Sequence, residues 1–372
     1  MRELAETLVR PLDLARTAPF WSWLAPAAAI VALALFHARA SDVSIALMLG
    51  ALLIPAVLAA VHHAEVIAVK VGEPFGTLVL ALAVTVIECA LIVTLMLAKP
   101  GASAALLRDT VYSAVMIILA GVVGLCITVG AARHHVQRFG LHGVSAATTT
   151  LAALAVLVLV LPNFTTSTLG PTYTNSQLIL VGAASLVLWL LFVVVQTVRH
   201  RDYFLPEDGG ADEHHDAGSI TPRQMWLALG LLLASLTTVV LLAKTLSDPL
   251  AAAIVKSGAP LSAVGVVIAG VVLLPEGIAA VRAARNDRLQ TSLNLALGSA
   301  LATIGLTVPI IAGLSVFFGW TLVLGLDAKG ITLLSLTLLV SSMSLSTGRT
   351  TVLQGAVHLV IFAFFLFTSF AP

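Results

Sequence analysis

Eleven hydrophobic stretches, most of them of membrane-spanning length, constrain the fold of this chain more than any other feature. A bilayer core of about 30 Å is crossed by roughly 20 apolar residues in a helix, which satisfies its own backbone hydrogen bonds. The chain is 59% hydrophobic and 10% charged, whereas a soluble domain carries about 25% charged residues. We therefore predict an all-α polytopic membrane protein with about 11 transmembrane helices. The stretches are Phe20 to His37, Val43 to Val61, Phe75 to Ala98, Val111 to Ala131, Val144 to Leu161, Leu178 to Val198, Met225 to Ala243, Leu261 to Val281, Leu289 to Phe318, Ile331 to Met343 and Val352 to Phe370.

Charge and cysteine content exclude several classes of protein. A net charge of +1 does not provide the clustered basic surface that nucleic-acid binding requires. The two cysteines, Cys89 and Cys126, lie inside hydrophobic stretches, so a disulfide framework is not predicted, and no Cys/His spacing resembles a zinc site. We expect no cofactor and no nucleic-acid partner, with membrane lipid surrounding the protein.

Two glutamates, Glu88 and Glu276, lie near the middle of hydrophobic stretches. An ionisable group near the bilayer midplane is costly, about 2.5 to 3.5 kcal/mol for Asp, Lys or Arg on insertion scales, and it usually marks a pathway. Pro275 and Gly277 flank the second glutamate, and both residue types loosen a helix backbone. No Lys or Arg within the stretches neutralises either acid. We predict that both carboxylates line a pathway through the membrane.

The basic residues predict the orientation of the chain. With a cytoplasmic N-terminus, 13 of the 19 Lys and Arg residues fall inside and six fall outside. Basic residues concentrate on the cytoplasmic side of membrane proteins. The N-terminus is therefore expected inside and the C-terminus outside.

The order of the stretches predicts two related halves. Residues 1–42 form a lead-in with the first helix, 43–198 a first five-helix repeat, and 224–372 a second five-helix repeat. The second helix of each half bears a glutamate. Because each repeat has five helices, an odd number, the second repeat must cross the membrane in the opposite orientation to the first. Inverted repeats of this kind place a binding site near the midplane.

The linker, residues 199–223, holds six of the chain's 18 acidic residues and three histidines. Its polarity and its Gly209-Gly210 pair are typical of a solvated, cytoplasmic connection. Clustered carboxylates also raise the local cation concentration, so a cation-attracting or cation-sensing segment is the alternative interpretation.

Several further oxygen-bearing side chains are candidates for the pathway. In the second half, three hydroxyls follow steps of seven and four residues and share one helix face. Carboxylates with hydroxyl and backbone oxygens suit Ca²⁺, Na⁺ or K⁺ rather than soft metals, although a single Ser or Thr often bonds only to its own helix. The hydroxyl candidates are Thr85, Ser113, Ser292, Ser299 and Thr303.

Two acids near the predicted cytoplasmic boundary, Glu65 and Glu73, are either residues of a cytoplasmic mouth or simple interface acids. The neighbouring pair His62-His63 lacks the four-residue spacing of a zincin site. His358, isolated in the last stretch, is expected to be a buried histidine with its hydrogen bonds satisfied.

Two groups of residues resemble the signature regions of the calcium/proton exchangers in the cation/Ca²⁺ exchanger superfamily. The resemblance covers nearly the whole chain and is closest to the bacterial ChaA-type branch. The first group is Ala64-Glu65, Gly72-Glu73, Gly76 and Glu88; the second is Pro275-Glu276-Gly277, Arg282, Asn286 to Leu289, and Ser292 to Val308 with Gly298-Ser299.

This resemblance implies exchange of Na⁺, K⁺ or Ca²⁺ for H⁺ across a bacterial inner membrane, with Glu88 and Glu276 as the cation- and proton-binding carboxylates. One departure concerns ion preference. The Gly-Asn-Ala that usually precedes each glutamate is replaced by Val84-Thr85-Val86 and Val272-Leu273-Leu274, which removes both asparagine oxygens and weakens the expectation of Ca²⁺ preference.

The leading hypothesis is a secondary active antiporter that works by alternating access and is not an enzyme. Cation and protons compete for the two glutamates. The alternatives are an intramembrane enzyme, such as a lipid-modifying transferase, or a cation channel. The arginines 282, 285 and 288, which could hold a phosphate, are already explained by topology.

Overall fold

A computed structural model describes residues 18–72, 75–98, 104–205 and 220–371. In this part of the chain, nine helices are long and apolar enough to cross a membrane, and two further apolar helices are shorter. Each predicted stretch corresponds to a helix, although the stretch Leu261 to Val281 begins two residues before its helix, at Ala263. This confirms the all-α membrane fold. The helices are α1 (Phe20–Phe36), α2 (Val43–Val71), α3 (Phe75–Ala98), α4 (Leu106–His134), α5 (Leu141–Phe164), α6 (Asn175–Arg199), α7 (Pro222–Lys256), α8 (Ala263–Arg285), α9 (Leu289–Phe318), α10 (Ala328–Ser344) and α11 (Val352–Phe370).

Several helices extend beyond their hydrophobic stretches. The largest difference is in α7, which continues past the predicted end at Ala243 to Lys256. Thr245 and Ser247 bond to carbonyls of this helix at 2.9 and 2.8 Å, so its polar extension remains helical. Hydrophobicity marks the part of a helix that meets lipid, and it does not mark where the helix ends.

The chain forms two compact units. The first contains residues up to Ile87 together with 220–252 of α7, and the second contains residues from Glu88 to 205 together with 253–371. In the first unit, α1 packs on α2, and His63 lies 3.3 Å from the carbonyl oxygen of Ser22. Both predicted site glutamates lie in the second unit, as do all helices from α4 to α6 and from α8 to α11.

The core of the second unit joins α4, α8 and α11. Five buried residues form one cluster there: Met116, Ala120, Val266, Ile361 and Phe365. Helix α8, which carries Glu276, therefore shares a buried cluster with the third helix of the first predicted repeat and the last helix of the second.

Two helices of the second unit contain matching π-helical segments. The segment Ile117–Val122 interrupts α4, and Thr303–Thr307 interrupts α9. Each begins four residues after a buried serine, Ser113 in α4 and Ser299 in α9. Further π segments lie near the end of α5, at Val156–Val160, and at the end of α6, at Val195–Arg199. Isolated π turns inside α-helices are frequent at functional sites.

The fifth helix of each predicted repeat packs against the π segment of the other. In α6, Trp189 lies so close to Gly305 that a Cβ at that glycine would be 2.4 Å from the Trp189 Cβ. In α11, the Phe362 ring would lie 3.2 Å from a Cβ added at Gly121. The two helices have similar sequences, Gly-Ala-Ala-Ser-Leu-Val-Leu-Trp at 182–189 and Gly-Ala-Val-His-Leu-Val-Ile-Phe at 355–362, which are identical at four of eight positions. This is a sequence similarity between the two predicted halves.

Two contacts between loops join helix ends, one on each predicted side of the membrane. Strands β1 (Gln137–Arg138) and β2 (Arg349–Thr350) pair antiparallel and join two loops predicted to be cytoplasmic. At the other end, Thr172 forms a bridge with Val323, joining two loops predicted to be external. The predicted alternation of helix directions agrees with both contacts.

Candidate functional site

Glu276 is held by the helix that follows it in sequence. Its side chain is 4% exposed on α8, one residue after the helix-internal Pro275. The hydroxyl of Ser299 on α9 donates a hydrogen bond to Glu276 Oε2. One of the three predicted hydroxyls of α9 therefore contacts this glutamate.

Glu88 is held by the same face of α9. Its carboxyl group is 3% exposed, and Glu88 Oε2 accepts a hydrogen bond of 2.9 Å from the Thr303 hydroxyl. Ser299 and Thr303 are separated by about one turn, or roughly 6 Å along the helix. The two carboxyl groups therefore accept hydrogen bonds from donors on one face of α9. One helix therefore brings together the acids of both predicted halves.

Each glutamate retains one buried oxygen without a hydrogen-bond partner. In the part of the chain that the structure describes, these are Glu88 Oε1 and Glu276 Oε1. A buried carboxylate is stable only when its charge is compensated and its oxygens are bonded. Two species satisfy this requirement here: a proton on each carboxyl group, or a cation shared by the oxygens.

A third hydrogen bond continues the same helix face. Thr307 lies four residues after Thr303 and is fully buried, and the Cys89 thiol donates to its oxygen at 3.4 Å. Neither residue is among the hydroxyl candidates predicted from the sequence, the last of which is Thr303. Extending the steps of four by one more turn identifies Thr307, whereas its pairing with Cys89 depends on helix packing.

The other predicted hydroxyls have different surroundings. Thr85 is buried and donates to the Ala81 carbonyl of its own helix at 2.8 Å. Ser292 is fully buried beside the Cys126 thiol. Ser113, 1% exposed, lines a polar cavity with Asp109. Their roles as ligands remain predictions.

Of the two predicted mouth residues, Glu65 is exposed on α2, and Glu73 lies outside the described residues. Most of the acidic linker, residues 206–219, also lies outside them. His358 is fully buried, with Nδ1 2.8 Å from the Leu119 carbonyl oxygen and Nε2 2.8 Å from the Ser344 hydroxyl. The expectation of a buried, satisfied histidine is confirmed.

Few protein ligands are available to a cation at this site. Among the described residues, no three His, Cys, Asp or Glu side chains are placed together to hold a metal ion. A cation between Glu88 and Glu276 would rely on two carboxylates, the Ser299 and Thr303 hydroxyls, and water or backbone oxygens. A ligand shell that is partly made of water allows the cation to bind and to be released.

The sequence has relatives over almost its whole length. "Putative ionic transporter y4hA" from Sinorhizobium fredii is 49% identical over 357 residues, which cover 95% of this chain and 97% of the relative. "Sodium-potassium/proton antiporter ChaA" from Escherichia coli is 34% identical over 356 residues, 94% of this chain and 96% of the relative.

The fold is also found in solved structures. Native YfkE superposes with a TM-score of 0.69 at 16% identity, covering 94% of this chain and 100% of that chain. The H⁺/Ca²⁺ exchanger CAX has a TM-score of 0.65 at 14% identity, covering 97% of this chain and 88% of that chain. At these identities the likeness concerns the fold alone.

Residues 42–198 and 227–371 match the family described as "Sodium/calcium exchanger protein". With this match, the two relatives and a described site of two buried carboxyl groups, the chain belongs to the sodium/calcium exchanger protein family.

Proposed function

We propose that this protein is a secondary active antiporter that exchanges a cation for protons at Glu88 and Glu276. The observation that carries the proposal is the state of the two carboxyl groups. Each is buried, accepts one hydroxyl hydrogen bond on α9, and keeps one oxygen without a partner among the described residues. A site of this kind requires either protons or a cation.

Competition at this site couples the two fluxes. The cation binds only when the carboxyl groups are deprotonated, because the negative charges provide the attraction. The empty, doubly negative site is unfavourable in a buried position, so the protein changes its access side when loaded with cation or with protons. Exchange then needs no second site.

Alternating access follows from the two-repeat arrangement. The family matches residues 42–198 and 227–371, close to the predicted repeats at 43–198 and 224–372. The related sequences of α6 and α11, each packed on the π segment of the opposite half, support two inverted repeats. Rocking of one repeat against the other around a midplane site is the usual mechanism in such folds.

We propose Na⁺ and K⁺ as substrates beside Ca²⁺. Calcium takes six to eight oxygen ligands, whereas this site offers two carboxylates and two hydroxyls, without the asparagines replaced by Thr85 and Leu273. The relative ChaA is named as a sodium-potassium/proton antiporter, and the structural neighbour CAX as an H⁺/Ca²⁺ exchanger.

The proposed location is the bacterial inner membrane, with a cytoplasmic N-terminus and an external C-terminus. The family and the nine spanning helices among the described residues make this an integral membrane protein. The basic-residue count gives the orientation.

Proton flux in proteoliposomes tests the proposed function. Purified protein is reconstituted with an acidic lumen and a pH-sensitive dye, and Na⁺, K⁺ or Ca²⁺ is added outside. We expect a cation-dependent rise of lumenal pH that persists when the membrane potential is clamped with valinomycin and K⁺ for the Na⁺ and Ca²⁺ arms. Cation flux that requires no proton counterflux would instead support a channel.

A further inference from the structure

A polar cavity lies at the end of the second unit that the proposed topology places outside. Its volume is about 120 Å³, enough for several waters or a cation with part of its hydration shell. Helices α4, α8, α10 and α11 contribute its walls. Val266 on α8 is part of the wall, ten residues and about 15 Å of helix before Glu276. The cavity is therefore separate from the glutamate site.

Two acids and two bases face this cavity. Asp109 and Asp327 both line it. Arg108 contacts one of these acids: its Nε and Nη2 lie 2.8 and 2.7 Å from Asp109 Oδ1. Lys329 donates instead to the Thr368 carbonyl oxygen at 2.8 Å. The cavity thus holds one acid that a guanidinium covers and one acid, Asp327, whose described contact is a backbone N–H.

Helix capping accounts for only part of this arrangement. Asp327 accepts from Gly330 N at 2.7 Å as the N-cap of α10, an ordinary position for an acid. Capping does not require a second carboxylate from another helix across an open cavity. It also does not explain the side chain of Ser113, which lines the cavity one turn below Asp109 and is only 1% exposed. This buried hydroxyl points to a polar occupant.

We propose that this cavity is an external waiting site for the transported cation, with Asp327 and Asp109 as its ligands and Arg108 as a built-in competitor. A cation between the carboxylates takes the place of the guanidinium on Asp109, and Arg108 moves to the Gly325 carbonyl oxygen, already 3.4 Å from its Nη1. Ser113 supplies an oxygen at the inner end. The inference rests on the proposed antiport function and adds a second, sided cation site to it.

If Arg108 competes with the cation for Asp109, replacing each member of this ion pair should have opposite effects on cation binding. Removing the acid with Asp109→Asn weakens cation binding, whereas removing the base with Arg108→Gln strengthens it, because the carboxylate becomes free. A purely structural salt bridge predicts the same loss from either change. Asp327→Asn keeps the N-cap, since Asn also caps helices, and removes only the charge.

The test measures cation dependence at each face of the membrane. Right-side-out vesicles with an acidic lumen take up Na⁺ or Ca²⁺ from the external face, and everted vesicles present the cytoplasmic face. We expect Asp327→Asn and Asp109→Asn to raise the half-saturating external Na⁺ concentration about fivefold, the effect of one nearby unit charge in a partly hydrated site. Arg108→Gln should lower it about threefold, and the shifts for Ca²⁺ should be larger.

A matched control is Asp287→Asn, at the opposite end of α8. Asp287 accepts from Gln137 Nε2 at 2.9 Å and has a φ of 61°, a conformation that Asn tolerates. The control should change the half-saturating external Na⁺ concentration by less than about twofold. All variants should keep the half-saturating concentration at the cytoplasmic face and the maximal rate. The waiting site would be overturned by an unchanged half-saturating external Na⁺ concentration in Asp327→Asn. It would also be overturned if Arg108→Gln and Asp109→Asn shifted this concentration in the same direction. Absence of antiport in the wild type would overturn the proposed function instead.

Discussion

Thr303 donates a 2.9 Å hydrogen bond to Glu88, 215 positions earlier in the chain, while Ser299, one turn before it on α9, donates to Glu276. A single helix thus orients the acids of both predicted repeats. The two hydroxyls select one oxygen of each carboxyl group and leave the other for a cation or proton. We expect this helix to determine the distance between the acids.

Replacing either glutamate by glutamine should abolish exchange. Glu88→Gln and Glu276→Gln keep the size of the side chain and its acceptor for Ser299 or Thr303, but the amide neither releases a proton nor carries charge. Cation-induced dequenching of a pH dye in everted vesicles is the measurement, with expression and gel-filtration profile as the folding control. Near-normal transport by either variant would contradict the two-carboxylate mechanism.

Removing one hydroxyl donor should weaken cation binding without removing it. Ser299→Ala and Thr303→Val each delete a hydrogen bond to a charged group, worth about 1.5–3 kcal/mol. We expect half-saturating cation concentrations to rise by about tenfold or more, and transport to require higher pH, since the charged carboxylate loses a stabilising donor.

Two further variants test this interpretation. Thr303→Ser should restore transport, because it keeps the donor. Thr332→Val is the matched control, since Thr332 is exposed and bonds only to its own helix at Ala328. Equal losses in Thr332→Val and Thr303→Val would mean that helix destabilisation, rather than a missing donor, is the cause.

The sequence was sufficient for the parts of this site that depend on one helix at a time. Glu88 and Glu276 are identified by position in a hydrophobic stretch, and Ser299 and Thr303 by their shared face. The contact of Thr307 with Cys89 and the packing of Trp189 on Gly305 depend on which helices are neighbours, and helical periodicity carries no such information. The cavity at Asp327 was missed for the same reason, since its walls come from four helices.

Replacing His358 should destabilise the protein. Its ring joins the Leu119 carbonyl in the π segment of α4 to the Ser344 hydroxyl of α10, so His358→Ala leaves buried polar groups without partners at about 1–3 kcal/mol each. Thermal unfolding in detergent should shift to lower temperature by several degrees. His37→Ala, at an exposed histidine, should leave it unchanged. An equal decrease of the unfolding temperature in both variants would contradict this stabilising role of His358.

Labelling from each side tests the proposed topology. Single cysteines at Thr168 and Asp202, in a background with Cys89 and Cys126 replaced, lie in loops on opposite sides of α6. A membrane-impermeant maleimide should label position 168 in intact cells or right-side-out vesicles and position 202 only in everted vesicles. Labelling of both from outside would exclude the topology and the inverted repeats.

Ion preference follows from the oxygen count at the glutamates. With Thr85 and Leu273 where the family usually has asparagine, the protein supplies fewer strong ligands than Ca²⁺ prefers, and monovalent ions tolerate a poorer shell. We therefore expect Na⁺ or K⁺ exchange to be at least as evident as Ca²⁺ exchange, above all at alkaline pH, where carboxylates release protons more readily.

The exchange ratio decides whether transport responds to the membrane potential. Exchange of one Na⁺ for one proton, or of one Ca²⁺ for two protons, is electroneutral, so neither should respond to an imposed potential. Any other ratio moves net charge and changes the transport free energy by about 2.3 kcal/mol per net charge per 100 mV.

Mutual competition provides the control for this prediction, because all ions share the same two carboxylates. Added Ca²⁺ should reduce Na⁺/H⁺ exchange by raising its half-saturating concentration without lowering its maximal rate. The variants Thr85→Asn and Leu273→Asn, each of which returns one amide oxygen, should move the preference toward Ca²⁺. Measured side by side in proteoliposomes from neutral to strongly alkaline pH, saturable Ca²⁺ exchange with no detectable Na⁺ or K⁺ exchange would refute this interpretation of Thr85 and Leu273.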